Sequence, residues 1–318
     1  MTTQKVLIIK LGYSEILDRE SDSRKVSLGD VLRTTPILHA YKNDDVTWLT
    51  DKDAFPLLDG NPYIKRILPY DLTTVLQLES EEFDTVVNLE KIPGICAFAD
   101  KIKAWKKHGF RFDTRTGKAE AYDRAFDVLA VSSDPVLKKE NQKTVQELMF
   151  ELIGGKWNGE EYVLGYKPKS EEKFDIGFNT KIGQKWPTKA WSVKSWDELE
   201  KLLSDKGYTI TRQEQNKEAL ENLYSYMDWI NSCGMLVSND SLGMHLAIAL
   251  KKKVVGLFGP TPYLEVNFYG RGKAVVPKIA PDCMPCFNPK CSKDHGACID
   301  FITPKMVLDE IQKLYPRK

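Results

Sequence analysis

Three polar residues stand together at the start of an otherwise apolar stretch, SNDSLGMHLAIALKKKVVGLFGPT (238–261). Asp240, Ser241 and His245 follow a predicted buried strand, GMLVS, and the last two are four residues apart, on one face of the next helix. The free N–H groups at the beginning of a helix bind phosphate, and hydroxyl and imidazole groups add donors. In a simpler interpretation Asn239 or Asp240 caps the helix and His245 bonds a carbonyl group.

A second polar loop favours the phosphate interpretation. The residues FGPT (258–261) end the next predicted strand, and they place Gly259 and Thr261 at the same edge of the sheet. Two neighbouring polar loops at one edge predict a phosphate site there.

Four cysteines crowd into residues 283–298 with the spacing C-x2-C-x4-C-x6-C: Cys283, Cys286, Cys291 and Cys298. Four thiolates at such spacing can form a tetrahedral zinc site, and iron also accepts four thiolates. Reduced free thiols and local disulfides are the alternatives, and the spacing is tighter than in paired C-x2-C knuckles. A metal held by all four would be structural, since no coordination position would be left for chemistry.

A basic segment, KIKAWKKHGFRFDTRTGK (101–118), has seven Lys and Arg residues and one acid, Asp113. It is either a solvated helix face or a surface that receives a phosphorylated glycolipid at the inner membrane surface.

Composition limits the remaining classes. The 318 residues predict two domains, and the net charge of +1 provides no general field for nucleic acid. The start, MTTQKVLIIKLG, has only a four-residue apolar run, so we expect neither a signal segment nor a spanning helix. Cys96 and Cys233 stand alone in apolar surroundings, as is typical of a cytoplasmic protein.

Strands and helices alternate twice along the chain. The first series of strands is KVLIIKL (5–11), VTWLT (46–50), IKRIL (64–68) and DTVVNLE (84–90), with a helix at 29–42. The second is FDIGFNT (174–180), YTITR (208–212), GMLVS (234–238) and KKVVGLFG (252–259), with helices near 193–205, 216–232, 242–250 and 303–315. Buried strands that alternate with helices predict parallel sheets covered on both faces. We therefore expect an α/β protein of two doubly wound, Rossmann-like domains, residues 1–165 and 166–318, facing across a cleft.

These motifs resemble a known family. KVLIIKLG followed by SLGDVLRTTPIL, then KWPTKAW (185–191), then NDSLGMHLAIALKKKVVGLFGPT are similar, in order and spacing, to the signatures of glycosyltransferase family 9. That family comprises the ADP-heptose-dependent heptosyltransferases of lipopolysaccharide assembly. The resemblance covers nearly the whole chain and implies the GT-B fold, with inverting transfer and no catalytic metal.

The resemblance also assigns roles to residues of the first domain, which would bind the acceptor. Asp30 is its catalytic base, because an attacking hydroxyl must lose a proton as the new bond forms. Ser27 and Gly29, beside it, would position the acceptor. Helix capping is the alternative for Asp30, which the resemblance places below catalysis, and for Ser27 capping fits equally well. An insertion, YSEILDRESDSRKV (13–26), lies next to this motif and is either a solvated loop or an acceptor lid.

In the second domain the resemblance implies a set of donor-binding residues: Thr180, Lys185, Asp240, Ser241, Gly243, His245, Gly259 and Thr261. Lys185 would neutralise the diphosphate leaving group. It stands directly before Trp186, whereas the family lysine often stands two residues before the tryptophan, and Lys181 is another candidate. Leu242 replaces a common family glycine, which puts the selectivity for the donor sugar in doubt.

The sequence thus predicts a glycosyltransferase that uses a nucleotide-sugar donor and a glycolipid or glycan acceptor. The alternatives are transfer of another sugar, transfer onto protein, a sugar-nucleotide epimerase, or a catalytically silent nucleotide-sugar or metal-binding module. No cofactor is expected for catalysis, apart from the zinc or iron alternative at the cysteines.

Overall fold

A computed structural model describes residues 2–17, 26–183, 185–215, 221–279, 281–291, 294 and 296–317. The chain divides into two compact units, Met1–Tyr166 and Lys167–Lys318, one residue from the predicted boundary. Within the described ranges, no helix is both long and apolar enough to cross a membrane.

The first unit is a six-stranded sheet with helices between its strands. The strands are β1 (Lys5–Ile9), β2 (Asp45–Thr50), β3 (Arg66–Pro69), β4 (Glu82–Asn88), β5 (Lys103–Asp113) and β6 (Lys118–Ala121). The helices are α1 (Leu28–Thr34), α2 (Phe55–Leu58), α3 (Leu72–Glu79), α4 (Pro93–Lys101), α5 (Phe126–Ser133), α6 (Pro135–Glu140) and α7 (Val145–Leu152). The strand order is β3-β2-β1-β4-β5-β6, and β6 pairs with β5 in the antiparallel direction while the other pairs are parallel.

The second unit is a five-stranded parallel sheet with the order β11-β10-β9-β7-β8. Its strands are β7 (Phe174–Asn179), β8 (Ile210–Arg212), β9 (Cys233–Asn239), β10 (Lys253–Leu257) and β11 (Gly272–Val275). Its helices are α8 (Val193–Ser204), α9 (Leu223–Asn231), α10 (Leu242–Ala249) and α11 (Pro304–Leu314). The predicted helix near 216–232 begins at Leu223 in the structure, and residues 216–220 lie outside the described ranges.

Apolar strands form the centre of each unit. All seven residues of β9 are buried, as expected for a strand covered by helices on both faces. In the second unit, the Trp196 ring lies 5.0 Å from those of Phe178 and Trp191, and the Trp191 indole donates to the Ile302 carbonyl at 2.9 Å. Trp191 therefore fixes the segment just before α8, which carries functional candidates.

The interpretation of residues 101–118 as a helix face is wrong. Helix α4 ends at Lys101, and the segment continues as β5 and β6, which pair between Phe110–Asp113 and Lys118–Ala121. A parallel neighbour explains the extended backbone, because β5 pairs with β4 from Glu82 to Asn88. Gly109 has φ of +89°, and a Cβ atom there would lie 1.8 Å from the Asn88 carbonyl oxygen, so the close approach of the strands requires glycine.

Candidate active site

The strand order of the first unit changes direction between β1 and β4, so the loops after these strands border the crevice in which such sheets bind ligands. Lys10 follows β1 directly, and Glu90 follows β4. Asp30 lies in the first turn of α1, the helix that follows the β1 loop. The fold therefore brings the predicted base to the switch point of its sheet.

Three charged side chains that are shielded from solvent meet there. Lys10 Nζ lies 2.6 Å from Asp30 Oδ2 and 3.3 Å from Glu90 Oε1, and it also donates to the Ser14 carbonyl. The side chains of Lys10 and Glu90 are completely buried, and Asp30 is 3% exposed. Burial opposes the charge of Lys10, but attraction by Asp30 and Glu90 is stronger, and the pKa of Lys10 is raised.

Glu90 connects this cluster to the backbone of the β1 loop. Its Oε1 accepts the amides of Leu11 at 2.8 Å and Gly12 at 2.7 Å. Its Oε2 accepts the amide of Ser14 at 2.8 Å and the hydroxyl of the same residue at 2.6 Å. With four donors and a lysine on one carboxylate, Glu90 is held in a single position.

The carboxylate of Asp30 is engaged outside its own helix. Besides Lys10, the amide of Ile16 donates to its two oxygens, at 3.2 and 3.4 Å. The capping interpretation of Asp30 therefore does not describe this residue. Ser27 is the N-cap of α1, but its hydroxyl donates to Glu15 Oε1 at 3.3 Å and makes no side-chain capping bond, and Gly29 follows within the first turn.

The insertion at 13–26 begins as packed structure. Ser14, Ile16 and Leu17 are buried, and the Lys91 ammonium group bonds the Ile16 carbonyl at 3.1 Å. Residues 18–25 of the insertion lie outside the described ranges. The solvated-loop interpretation is thus wrong for the first part, which covers Asp30 directly.

In the second unit the strand order changes direction between β7 and β9, and the predicted donor residues follow β7, β9 and β10. Parallel strands bring these loops to one edge. The Asn239 side-chain amide donates to the Thr180 carbonyl at 2.9 Å, and the Thr261 hydroxyl donates to Asp240 Oδ2 at 2.7 Å. Three loops far apart in sequence therefore meet as the pattern predicted.

Asp240 forms an ion pair with Lys189, which is not among the donor-binding residues predicted from the sequence. The Lys189 ammonium group lies 2.7 Å from Asp240 Oδ2, and the two side chains are 14% and 12% exposed. Burial by itself raises the pKa of Asp240, but Lys189, the nearby His245 and the hydrogen bond from Thr261 outweigh burial and hold the pKa well below its usual range. Asp240 is therefore an ionised, paired carboxylate and not the helix cap, which is Ser241.

A hydrogen-bond network fixes the start of α10. The Asn179 amide nitrogen donates to the hydroxyls of Ser238 at 2.7 Å and Ser241 at 2.8 Å, and its oxygen accepts from the Tyr226 hydroxyl at 2.6 Å. The Ser241 hydroxyl makes no side-chain bond to the amides at the start of its helix. A Cβ atom at Gly243 would lie 2.2 Å from the Tyr226 hydroxyl, so packing alone already requires glycine there.

The other candidates occupy the same region. Lys185 Nζ lies 5.8 Å from the centre of the Trp186 ring, and Lys189 Nζ lies 5.5 Å from it. His245 is 5% exposed and lies on α10. The Thr180 hydroxyl donates to a carboxylate oxygen of Glu214.

The cysteine segment packs against two of the donor loops. The Phe287 amide donates to the Pro260 carbonyl at 3.0 Å, and the Thr188 hydroxyl donates to the Asn288 carbonyl at 2.8 Å. A Cβ atom at Gly259 would lie 3.1 Å from the Cys298 sulfur. The segment therefore supports the loops that carry Lys189 and Thr261.

All six cysteines are free thiols. Burial, followed by the neighbouring Cys286, Cys283 and Cys291, raises the pKa of the Cys298 thiol to about 11, so these three thiols lie within electrostatic range of Cys298. Among the described residues, no group of three or more His, Cys, Asp or Glu side chains is arranged to hold a metal ion.

Sequence reasoning missed Lys10, Glu90, Lys189 and Asn179. Lys10 and Glu90 could have been found as charged residues directly after buried strands, in KVLIIKL and DTVVNLE. Lys189 lies within the family motif KWPTKAW, but the sequence does not place it near Asp240. That distance depends on a short 3₁₀ turn, Pro187–Lys189, and on the hydrogen bond that the Trp191 amide donates to the Asn239 side chain at 3.2 Å.

A family model described as glycosyltransferase family 9 (heptosyltransferase) matches residues 219–296. Over these residues the chain is similar to glycosyltransferase family 9. The matched residues include both polar loops of the second unit, which confirms the resemblance predicted from the motifs.

Two curated relatives illustrate the extent of the similarity. Lipooligosaccharide heptosyltransferase 2 of Campylobacter jejuni is 33% identical over 82 residues, which are 26% of this chain and 26% of that protein. Lipopolysaccharide heptosyltransferase 2 of Escherichia coli K12 is 25% identical over 239 residues, which are 65% of this chain and 66% of that protein. The match to the first relative thus spans about a quarter of its length.

Solved structures of family 9 proteins cover almost the whole chain. The family 9 glycosyltransferase of Veillonella parvula aligns with a TM-score of 0.68 and 17% identity, over 98% of this chain and 97% of that one. The E. coli heptosyltransferase WaaC, solved with ADP-2-deoxy-2-fluoro heptose, aligns with a TM-score of 0.60 and 16% identity, over 97% and 99%. These likenesses confirm the predicted GT-B fold class.

The pair between Lys189 and Asp240 generates a stability prediction. Replacing Lys189 with Met leaves a buried carboxylate without its cation and should lower the free energy of unfolding at pH 7 by on the order of 3 kcal/mol. Because the folded-state pKa of Asp240 is lowered, the benefit of the pair exists above the unfolded pKa of about 4 and fades as the pH falls further. The difference between Lys189→Met and the wild type should therefore shrink below about pH 4.

Urea unfolding at several pH values measures this difference. The control is Lys185→Met, which removes a lysine of the same turn that rests on the Trp186 ring and should cost less than about 1 kcal/mol. The double variant Lys189→Met/Asp240→Asn should recover part of the loss. Equal effects of the two single variants would contradict the assigned pairing.

Proposed function

We propose that the protein is an inverting glycosyltransferase that transfers heptose from ADP-heptose to a lipopolysaccharide-type or other glycan acceptor. The observation that carries the proposal is the family match at residues 219–296. The matched region contains the polar loops after β9 and β10, which lie at the edge of the second sheet where the strand order changes direction. ADP-heptose is proposed because the similar WaaC protein was solved with a fluorinated form of it. The first unit would bind the acceptor and the second unit the donor.

The reaction needs a base and a stabilised leaving group. An acceptor hydroxyl oxygen attacks the anomeric carbon, while the bond from that carbon to the diphosphate oxygen breaks and its electron pair leaves with the diphosphate. Attack opposite the leaving group inverts the configuration. The hydroxyl proton passes to the Asp30 carboxylate, which makes Asp30 the catalytic residue of the proposal.

The burial of Asp30 suits a base that must act without competition from solvent. Its carboxylate is 3% exposed and lies 2.6 Å from the Lys10 ammonium group. The Ile16 amide occupies part of the carboxylate, so an acceptor hydroxyl would replace that amide. The first part of the insertion therefore acts as a lid in this proposal, with Ser27 and Gly29 lining the acceptor position.

The donor diphosphate would lie at the start of α10. The Ser241 hydroxyl makes no capping bond to the first amides of α10, so those amides can donate to a diphosphate. Lys185, which lies against the Trp186 ring, would supply positive charge. An unpaired carboxylate beside a diphosphate would repel it, so the pairing of Asp240 with Lys189 and Thr261 matters for binding. We assign Asp240 to orienting these two groups, with Thr180, Gly243, His245 and Gly259 completing the donor site.

We further propose that Cys283, Cys286, Cys291 and Cys298 bind zinc or iron in a structural role. The nearness of the other three thiols to Cys298 and the contacts of their segment with Pro260 and Thr188 support this assignment. The metal would draw the thiols into a tetrahedral set and hold the donor loops in place. No metal is proposed for the transfer step, and the cytoplasmic location stays a prediction.

A membrane contact is the last part of the proposal. Trp105 is 94% exposed at the start of β5, between the exposed Lys103 and Lys106, which suits the interface of an anionic membrane. Lys107 does not belong to this surface, because its ammonium group bonds the carbonyls of Ala99 and Asp100 at the end of α4.

Calorimetry with ADP, GDP, UDP and ADP-heptose tests the donor. Selective binding of ADP and ADP-heptose is expected. Preference for UDP or GDP would keep the mechanism but overturn the assignment of the donor sugar, and binding of none of the four would favour the silent module.

With an acceptor, Asp30→Asn should lower kcat by about 10²- to 10⁴-fold while donor affinity stays the same. Asp53→Asn, at an exposed site of the same unit, is the control. Consumption of donor without acceptor would favour an epimerase.

Elemental analysis of anaerobically purified protein tests the metal. Close to one equivalent of zinc or iron is expected, and it should fall in Cys291→Ser and in Cys298→Ser. Cys96→Ser, which alters a buried thiol of the other unit, should keep the metal. Less than roughly a tenth of an equivalent in the wild type would contradict the site, since structural sites bind tightly.

Sedimentation with vesicles of phosphatidylcholine and phosphatidylglycerol tests the membrane contact. Lys103→Glu/Lys106→Glu should weaken binding by about tenfold or more, and Trp105→Ala should weaken it too. Lys201→Glu/Lys206→Glu changes the net charge equally at exposed positions of the second unit and should have a smaller effect. Equal binding of all variants would exclude the proposed surface.

A further inference from the structure

We propose that Lys10 and Glu90 are positioning residues that set the basicity of Asp30 by sharing one buried cation between two carboxylates. The inference rests on the proposed role of Asp30 as the base. It assigns a role in turnover to two residues that would not touch either substrate.

The geometry is that of a shared cation. An ammonium group has three N–H donors, and Lys10 has three acceptors around it: Asp30 Oδ2, Glu90 Oε1 and the Ser14 carbonyl. The shorter distance, 2.6 Å, is to Asp30, and the longer, 3.3 Å, is to Glu90. With one cation and two carboxylates, the buried cluster has a net charge of −1 before the reaction.

The second carboxylate matters when the base takes its proton. Asp30 then becomes neutral, and without Glu90 the fully buried Lys10 would be left as an isolated cation, which is strongly unfavourable. With Glu90 present, the lysine keeps a carboxylate partner and the cluster becomes neutral overall. Lys10 thus keeps Asp30 ionised before the transfer, and Glu90 makes the protonated state accessible during it.

Glu90 is suited to remain fixed while the charge on Asp30 changes. The amides of Leu11, Gly12 and Ser14 and the Ser14 hydroxyl all donate to its carboxylate, whereas, within the part of the chain that the structure describes, Asp30 receives the Ile16 amide beside Lys10. Four donors stabilise the charged form of Glu90. The proton is therefore directed to Asp30 and not to Glu90.

Among the described residues, three further charged groups near the cluster have bonds of their own. Glu15 accepts from the Ser27 hydroxyl, the Lys91 ammonium group bonds the Ile16 carbonyl, and Asp51 accepts from the Tyr13 hydroxyl. Each is retained in the variants below, so differences between variants report Lys10 and Glu90.

The test uses two single variants whose effects have opposite signs. In Lys10→Met, two carboxylates lose their cation, and the acid limb of the pH profile of kcat/KM should move up by about 1 to 3 pH units. In Glu90→Gln, a like charge is lost, and the limb should move down by about one unit. The double variant Lys10→Met/Glu90→Gln restores the net charge of the cluster to −1, so the acid limb of its pH profile should return towards that of the wild type. The profiles report apparent values of the coupled cluster.

A direct titration separates this inference from the proposed function. The carboxyl carbon of Asp30, in protein labelled with ¹³C-aspartate and assigned through Asp30→Asn, gives a midpoint in each variant whether or not sugar is transferred. Trp48→Phe is the control, since its indole donates to the Lys10 carbonyl at 3.3 Å and its loss disturbs the same segment without changing charge.

Opposite shifts in the two single variants, with none in Trp48→Phe, are the expected result. Shifts of the same sign, or no shifts, would overturn the shared-cation assignment even in an active transferase. Opposite ¹³C shifts in a protein that transfers no sugar would support the cluster and overturn the role of Asp30. If Lys10→Met does not fold, Glu90→Gln and the double variant still show the direction in which the Asp30 midpoint shifts.

Discussion

A buried ammonium group must be matched by carboxylates within hydrogen-bonding distance, and this constraint organises the first unit around Lys10. The lysine comes directly after β1, Glu90 comes two residues after the end of β4, and these are the two strands between which the sheet changes direction. Their pairing, with the four bonds to Glu90 from Leu11, Gly12 and Ser14, fixes the first part of the β1 loop. Loss of the ionic cluster would therefore affect both the fold of the loop and the electrostatics of the proposed base.

The second unit uses a related arrangement at its own switch point. Asp240 follows β9, and its cation, Lys189, comes from the segment after β7. In both units a carboxylate at the crevice is paired with a lysine from a loop distant in sequence, so neither carboxylate is buried without compensation. The pairing differs in exposure: Lys10 is completely buried, whereas Lys189 is 14% exposed and remains within reach of a ligand. This difference fits a lysine that acts on a base in one unit and a lysine that lies near a diphosphate in the other.

The cysteine segment extends this support to the donor loops. Its bonds to Pro260 and Thr188, and the contact of Cys298 with Gly259, link three pieces of chain that no strand pairing connects. The family 9 match ends at residue 296, inside this segment, so the matched region includes most of the segment and the loop of Gly259 and Pro260, but not the loop of Thr188.

The sequence by itself determined the class of fold, the two repeated series of strands and helices, and the polar loops at Asp30 and Asp240. Buried parallel strands have continuous apolar runs, and the ends of parallel strands lie at one edge, so both features can be inferred from local pattern. Only the tertiary structure decided which charges pair. Lys10 with Glu90 and Lys189 with Asp240 are separated by 80 and 51 residues, and a strong ion pair depends on distances of a few ångströms that no local pattern encodes. The basic segment at 101–118 was misjudged for the same reason, since its extended backbone is imposed by pairing with β4 and not by its own composition.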